Sequence, residues 1–133
     1  MIKLSKKVEY ALMALSSIKN SGDNIMTAKE ISSEHNIPYE LLAKILQKLK
    51  KEEILISTQG INGGYKLNSN LDKISLSNLM DMLENNIGIV ECQQMKTASD
   101  CILFDDCTMK SPMEKMQKEL ENLLKSKMVS EFI

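Results

Sequence analysis

Two short β-prone runs, Ile54–Thr58 and Tyr65–Asn68, flank the segment Gln59-Gly60-Ile61-Asn62-Gly63-Gly64. Glycines in that segment supply the positive φ angles a tight hairpin needs. What precedes the hairpin narrows the architecture further. Thr27-Ala-Lys-Glu30 is a capping box, in which hydroxyl and carboxylate each satisfy an orphan amide. It opens a short helix with Ala28 and Ile31 facing inward, broken at His35-Asn36. Ile37-Pro38 starts a second helix, since proline is preorganised for a first turn. Leu42, Ile45, Leu46 and Leu49 form its buried stripe, and it fades near Glu52-Glu53. Two helices joined by a short turn and followed at once by a hairpin make a winged helix-turn-helix. The expected fold is therefore mainly α, with a small β-hairpin wing.

The flanks fit around this unit. Leu4, Val8, Ala11, Leu12, Leu15 and Ile18 fall at helical spacing behind a Ser5 N-cap, and Asn20-Ser-Gly22-Asp ends that helix. Leu76, Leu79, Met80 and Leu83 give a short helix capped by Ser75 or Ser77, stopping around Asn85-Asn86-Ile87-Gly88. Ser111-Pro-Met-Glu114 reads as a second capping box, with proline at the first helical position. Met113, Met116, Leu120, Leu123, Leu124 and Met128 then line one face for roughly four turns, as a dimerisation helix would. The expected division is 1–70 as winged helix, 71–110 as short helix and cysteine-bearing loop, and 111–133 as dimerisation helix. With five aromatics, the core must be aliphatic, and the ten methionines are read as packing. Met1–Tyr10 lacks the apolar stretch of a signal peptide, and no run approaches a membrane span. A cytoplasmic protein without membrane contact is expected.

The net charge of −1 hides an asymmetry. Residues 1–67 hold ten lysines against seven acids, and residues 68–133 seven lysines against eleven. A basic first half suits a polyanion such as double-stranded DNA. Every basic residue is lysine, so no arginine fork is available for guanine. The exposed early positions of the second reader helix would enter the major groove: Tyr39, Glu40, Ala43, Lys44 and Gln47. Lys48, Lys50 and Lys51 fit a solvated face or, at the end of this helix, contact with the DNA backbone. Lys6 and Lys7 are placed at the first helix start, and Thr27 at the capped start of the first reader helix. Gln59 and Asn62 at the wing tip would reach the minor groove or phosphates. A winged helix can also dock a protein, and that alternative stays open.

All three cysteines lie in Cys92–Cys107, spaced Cys-x8-Cys-x5-Cys. The odd count argues against a closed disulfide framework. The gaps are wider than those of most zinc knuckles, whereas iron–sulfur clusters accept thiolates from loops. A four-iron or two-iron cluster wants four ligands, so one position is left for another group. Glu91, Asp100, Asp105, Asp106, Glu9 or a small external ligand are candidates. Ordinary buried or free thiols remain the plain alternative. His35, the single histidine, reads as a solvated turn residue. No enzyme is expected: there is no phosphate-binding glycine loop and no histidine placed to activate a thiol.

Three segments carry a family resemblance: Leu4-Ser-Lys-Lys-Val-Glu-Tyr-Ala-Leu, Ile37-Pro38, and Ser57-Thr-Gln-Gly60-Ile-Asn-Gly63-Gly64-Tyr65. With a cysteine trio between a short and a long helix, the chain resembles the IscR/NsrR (Rrf-two) family over nearly its whole length. The resemblance implies a homodimeric transcription regulator, a repressor, governed by an iron–sulfur cluster that reports on iron or cluster supply, nitric oxide or redox state. It implies Cys92, Cys101 and Cys107 as metal ligands. Glu9 matches the place where some members supply an acidic fourth ligand from the first helix of the other subunit. The chain departs from the family in three ways. Its first cysteine gap is longer than in the best-known members, Lys110 stands where one branch carries a histidine ligand, and Gln59 replaces the usual wing arginine. Two alternatives stand beside this reading: a cluster-free regulator switched by thiol oxidation or zinc, and a protein-docking adaptor for cluster assembly.

Overall fold

A computed structural model describes residues 4–61, 63–69, 71–84 and 110–133. Cys92, Cys101, Cys107 and Asn62 lie outside the described residues, as do Glu91, Asp100, Asp105, Asp106 and the expected end of the short helix at 85–88. The described residues form a mainly helical winged helix. In chain order they are α1 (Lys6–Asn20), α2 (Ala28–His35), α3 (Tyr39–Lys51), β1 (Leu55–Thr58), β2 (Gly64–Leu67), α4 (Leu76–Leu83) and α5 (Lys110–Ser126). Two 3₁₀ turns, Leu71–Lys73 and Val129–Phe132, complete the set.

α1 is the helix the others pack on. Ser5 caps it, its Oγ accepting from the Val8 amide at 3.4 Å. Val8, Ala11, Ala14, Leu15 and Ile18 are fully buried along one face. That face meets α2, α3, α4, β2 and the closing 3₁₀ turn. The two alanines lack bulk, which permits the close approach of neighbours on an aliphatic core.

The turns fix the direction of the reader helices. Thr27 and Glu30 form the expected capping box, at 3.1 and 3.2 Å. α2 ends where Asn36 turns left-handed, φ 55°, and the Ile37 amide donates back to the Ser32 carbonyl at 3.1 Å. Asparagine tolerates that conformation better than most residues. Pro38 sits one position outside α3, where its missing N–H costs nothing and its carbonyl accepts from the Leu42 amide. It therefore caps the helix and does not begin it. Leu42, Ile45, Leu46 and Leu49 are buried as expected.

α3 closes differently. Glu53 takes a left-handed φ of 63°, the Glu53 amide donates to Lys50 and the Ile54 amide to Leu49 at 2.9 Å. Ile54 and Leu49 are both fully buried, so the chain leaves α3 through a hydrophobic Schellman closure straight into the wing. The wing is antiparallel, registered Leu55↔Leu67 to Thr58↔Gly64. Its strands begin one residue later in β1 and one earlier in β2 than the sequence pattern suggests. Met26 pairs with Tyr65 on the outer side of β2, with mutual amide bonds of 3.0 and 2.7 Å. A Cβ at position 64 would lie 2.8 Å from the Met26 carbonyl oxygen, so glycine there is required by close approach.

The C-terminal part departs from expectation in two places. α5 begins at Lys110, which puts Ser111 inside the helix and not at its cap. Pro112 is tolerated because first-turn amides have no intrahelical partner. Met128 lies beyond α5: it pairs with Ser75, the Leu76 amide donates to the Lys127 carbonyl at 2.7 Å, and the Val129 amide to Ile74 at 2.8 Å. Val129 is fully buried in the core. The chain thus returns to α4, whose N-cap is Ser75.

A left-handed glutamate is strained by about 1–2 kcal/mol relative to glycine's freedom at that site, offset by roughly 0.5–1 kcal/mol of glycine's extra unfolded-state entropy. Glu53→Gly is expected to raise unfolding stability by about 0.5–1 kcal/mol, read by urea denaturation. A drop in stability would show that the closure is not strained.

Candidate nucleic-acid interface

The outer face of α3 carries the sequence-predicted contacts together. Tyr39 is 54% exposed, Glu40, Lys44 and Gln47 are exposed, and Ala43 is half-buried between them. Residues 40, 43, 44 and 47 share one face because three- and four-residue steps return to the same side of a helix. Lys48 is half-buried and pairs with Glu52 at 3.7 Å. Such a partly exposed pair contributes little stability, so the ammonium can exchange it for another anion. Lys50 and Lys51 are exposed at the last turn.

Thr27 is half-buried, and its Oγ1 accepts from Glu30. An accepting hydroxyl keeps its proton to donate. Lys29 and Ser33, which no sequence motif singles out, are exposed beside it and line an open concavity with Thr27, Glu30 and Glu34. Helical spacing from the cap is the signal that could find them. The two glutamates, however, oppose an anion there. On the wing, Gln59 is exposed.

Lys6 and Glu9, expected to serve DNA and metal separately, are partners. Lys6 Nζ donates to Glu9 Oε2 at 3.1 Å. The Glu9 hydrogen bond and charge raise the Lys6 pKa above its ordinary value, so this lysine stays charged. Their i,i+3 spacing at a helix start is the signal for the pair in the sequence. Glu9 lies in the first turn of α1, where the helix dipole favours a carboxylate.

His35 is not a freely solvated turn residue. Its Nε2 shares a 2.5 Å hydrogen bond with Ser17 Oγ, which also lies 3.3 Å from Glu34 Oε1. Ser17 is buried, so this cluster ties the end of α2 to α1 and positions the turn between the reader helices.

Among the described residues, no group of three or more His, Cys, Asp or Glu side chains could hold a metal ion. The donors that the sequence offers are three thiols and, for a fourth position, a carboxylate from Glu9, Glu91, Asp100, Asp105 or Asp106 or a small external ligand. That set is chemically suited to iron: soft thiolates hold the metal, and a harder oxygen ligand completes the coordination. Glu9 presents an oxygen, Oε1, that has no partner among the described residues.

A family described as "Iron-dependent Transcriptional regulator", Rrf2, matches residues 4–133. The transcriptional regulator NsrR of Oceanobacillus iheyensis is 32% identical over 116 residues, covering 86% of this chain and 78% of its own length. Among solved structures, CymR, the global cysteine regulator of B. subtilis, superposes with a TM-score of 0.70 at 22% identity, covering 98% of this chain and 95% of that one. T. potens IscR gives 0.70 at 23% identity, covering 97% and 84%. At these identities the two structures speak for the fold.

Substituting Lys44 or Tyr39 by alanine is expected to weaken duplex binding more than Lys118→Ala on α5. For Lys44→Ala the slope of log affinity against log salt should shrink by about 0.9 for each phosphate no longer neutralised. Equal effects at all three positions would move the interface away from α3.

Proposed function

The chain belongs to the Rrf2 family of transcriptional regulators, and we propose that it is a homodimeric DNA-binding repressor controlled by an iron–sulfur cluster. Cys92, Cys101 and Cys107 would hold the cluster, with Glu9 reaching it across the dimer. The observation that carries this reading is the confinement of every cysteine to sixteen residues in a chain that matches an iron-dependent regulator family end to end. The NsrR relative supports it from sequence.

In this reading the protein has three parts: residues 1–70 read the duplex, 71–110 carry the thiols and 111–133 assemble the dimer. Tyr39, Glu40, Ala43, Lys44 and Lys48 of α3 lie in the major groove. Lys6 and Thr27 contact phosphate, and Gln59 and Asn62 approach from the wing. Met116 and Leu123 on α5 are 45% and 54% exposed, seven residues apart on one face, with Met113, Leu120 and Leu124 half-buried beside them. A second copy covers such a stripe by the two-turn repeat of helix pairing. α5 is about 25 Å long at 1.5 Å per residue, enough for several layers of contact.

When bound, the cluster supplies an iron centre sensitive to redox state and to small ligands. The chain's own contribution is positional. In the sequence the three cysteines fall between the reading domain and α5, and Glu9 belongs to the helix on which the reader packs. A tie from the loop of one subunit to α1 of the other constrains the spacing of the two α3 helices, which is what a dimer reads in its half-sites.

A second reading has its own support. The same fold serves a global cysteine regulator in B. subtilis, so the fold alone does not require a cluster. Thiol oxidation at Cys92, Cys101 and Cys107 would then be the switch.

Protein purified without oxygen is expected to be coloured, with iron and sulfide in proportion and a cluster mass resolved by native mass spectrometry. Colourless protein that resists reconstitution would sink the cluster reading and leave the thiol switch. Glu9→Ala is expected to hasten cluster decay in air while light scattering still reports a dimer. Decay at the parent rate would remove Glu9 from the ligand set.

A further inference from the structure

Ile61 is 104% exposed, more open than an unfolded reference side chain. It occupies the wing tip, in a turn closed by the Gly63 amide donating to the Gly60 carbonyl at 3.0 Å. Two glycines shape the turn. Gly60 has φ +110°, and a Cβ at position 63 would overlap the Thr58 carbonyl oxygen. Gly64 lies close against the Met26 backbone. A bare isoleucine is thus presented to solvent at the wing tip.

The electrostatics of the tip point the same way. From Ser57 to Tyr65 there is no charged side chain, and the nearest cation along β2 is Lys66. A tip of this kind cannot be held by phosphate charge or read a narrow groove as a basic side chain does. What it offers is shape and apolar surface. Proteins working in the minor groove use isoleucine, among other apolar residues, as a wedge that partly unstacks a base step and bends the duplex.

We propose that Ile61 is an apolar wedge that enters the minor groove of the operator and reads a deformable base step. Its exposure at the uncharged tip of the wing makes it a specificity-determining residue, and the reading rests on the regulator function proposed above. Pyrimidine–purine steps unstack most easily, so the wedge discriminates by deformability and not by a hydrogen-bond pattern.

The test uses the full-length dimer and a duplex that the parent protein selects from a random-sequence library. Affinity is read at several salt concentrations, and bending by energy transfer between dyes at the two ends. Ile61→Ala is expected to lower affinity about tenfold and reduce the bend. The salt slope stays unchanged, because every phosphate contact remains in place. Ile61→Leu should restore both affinity and bend. The melting temperature of each variant should match the parent, since the side chain packs on nothing. Affinity within about twofold of the parent and an unchanged bend for Ile61→Ala overturn the wedge and leave the exposed side chain to a protein contact. If Lys44→Ala still weakens binding in that case, the regulator reading survives without it. A parent protein that selects no sequence refutes both.

Discussion

One face of α1 holds the molecule together. Val8, Ala11, Ala14, Leu15 and Ile18 present a smooth, fully buried surface against which the reader helix, the wing, α4 and the C-terminal turn all pack. Burial of such side chains is worth roughly 1.5–3 kcal/mol for each large one, far more than any exposed ion pair on this surface. The consequence is mechanical. Lys6 and Glu9 at the start of α1 and the α3 surface belong to one packed body, so a pull on Glu9 moves the reader with it.

The precision of that body comes from its turns and not from its charges. Asn36 and Glu53 both take left-handed φ angles, 55° and 63°, and each ends a reader helix by returning the next amide to the helix carbonyls. The Ser17–His35–Glu34 cluster locks the first of these to α1. Gly60 then supplies a positive φ to the wing turn, and Gly63 and Gly64 permit close backbone approach. A chain without arginine has no planar fork with which to anchor a base or a phosphate bidentately. In the function proposed above, base recognition therefore falls to polar side chains such as Glu40 and Gln47 on α3 and to the wing.

What is legible in the sequence is local. The Ser5 and Ser75 caps, the Thr27–Glu30 box and the α3 stripe each depend on residues three or four apart, and each is found where spacing puts it. The Met26–Tyr65 pairing and the return of Met128 and Val129 to Ser75 and Ile74 are not legible. Each joins segments some forty or more residues apart through one or two backbone bonds, leaving no periodic trace. Ser111 misleads because a capping-box pattern also fits one position inside a helix that starts at Lys110. Of the site, the reading face of α3 is visible as the complement of its buried stripe. The Lys6–Glu9 contact is hidden by the separate ligands, DNA and metal, that the two side chains suit. Ile61 gives no signal of its own, because an apolar residue between polar neighbours in a turn does not reveal whether it folds inward or stands out.

The Lys6–Glu9 contact also limits how a switch can work. In the function proposed above, a Glu9 carboxylate that turned to a metal would leave Lys6 without this partner and open to phosphate. The pair is open to solvent, however, and screened by water and salt. Moving a two-state equilibrium from about 1:99 to about 99:1 takes roughly 5.5 kcal/mol of differential binding. A freed surface lysine falls well short of that. The larger lever is geometric: two reading heads that both fit their half-sites gain a whole set of contacts together, and heads held at the wrong spacing forfeit one set entirely. In the function proposed above, control of operator binding acts chiefly through the distance between the two α3 helices, and the exchange at Lys6 adds only a small bias.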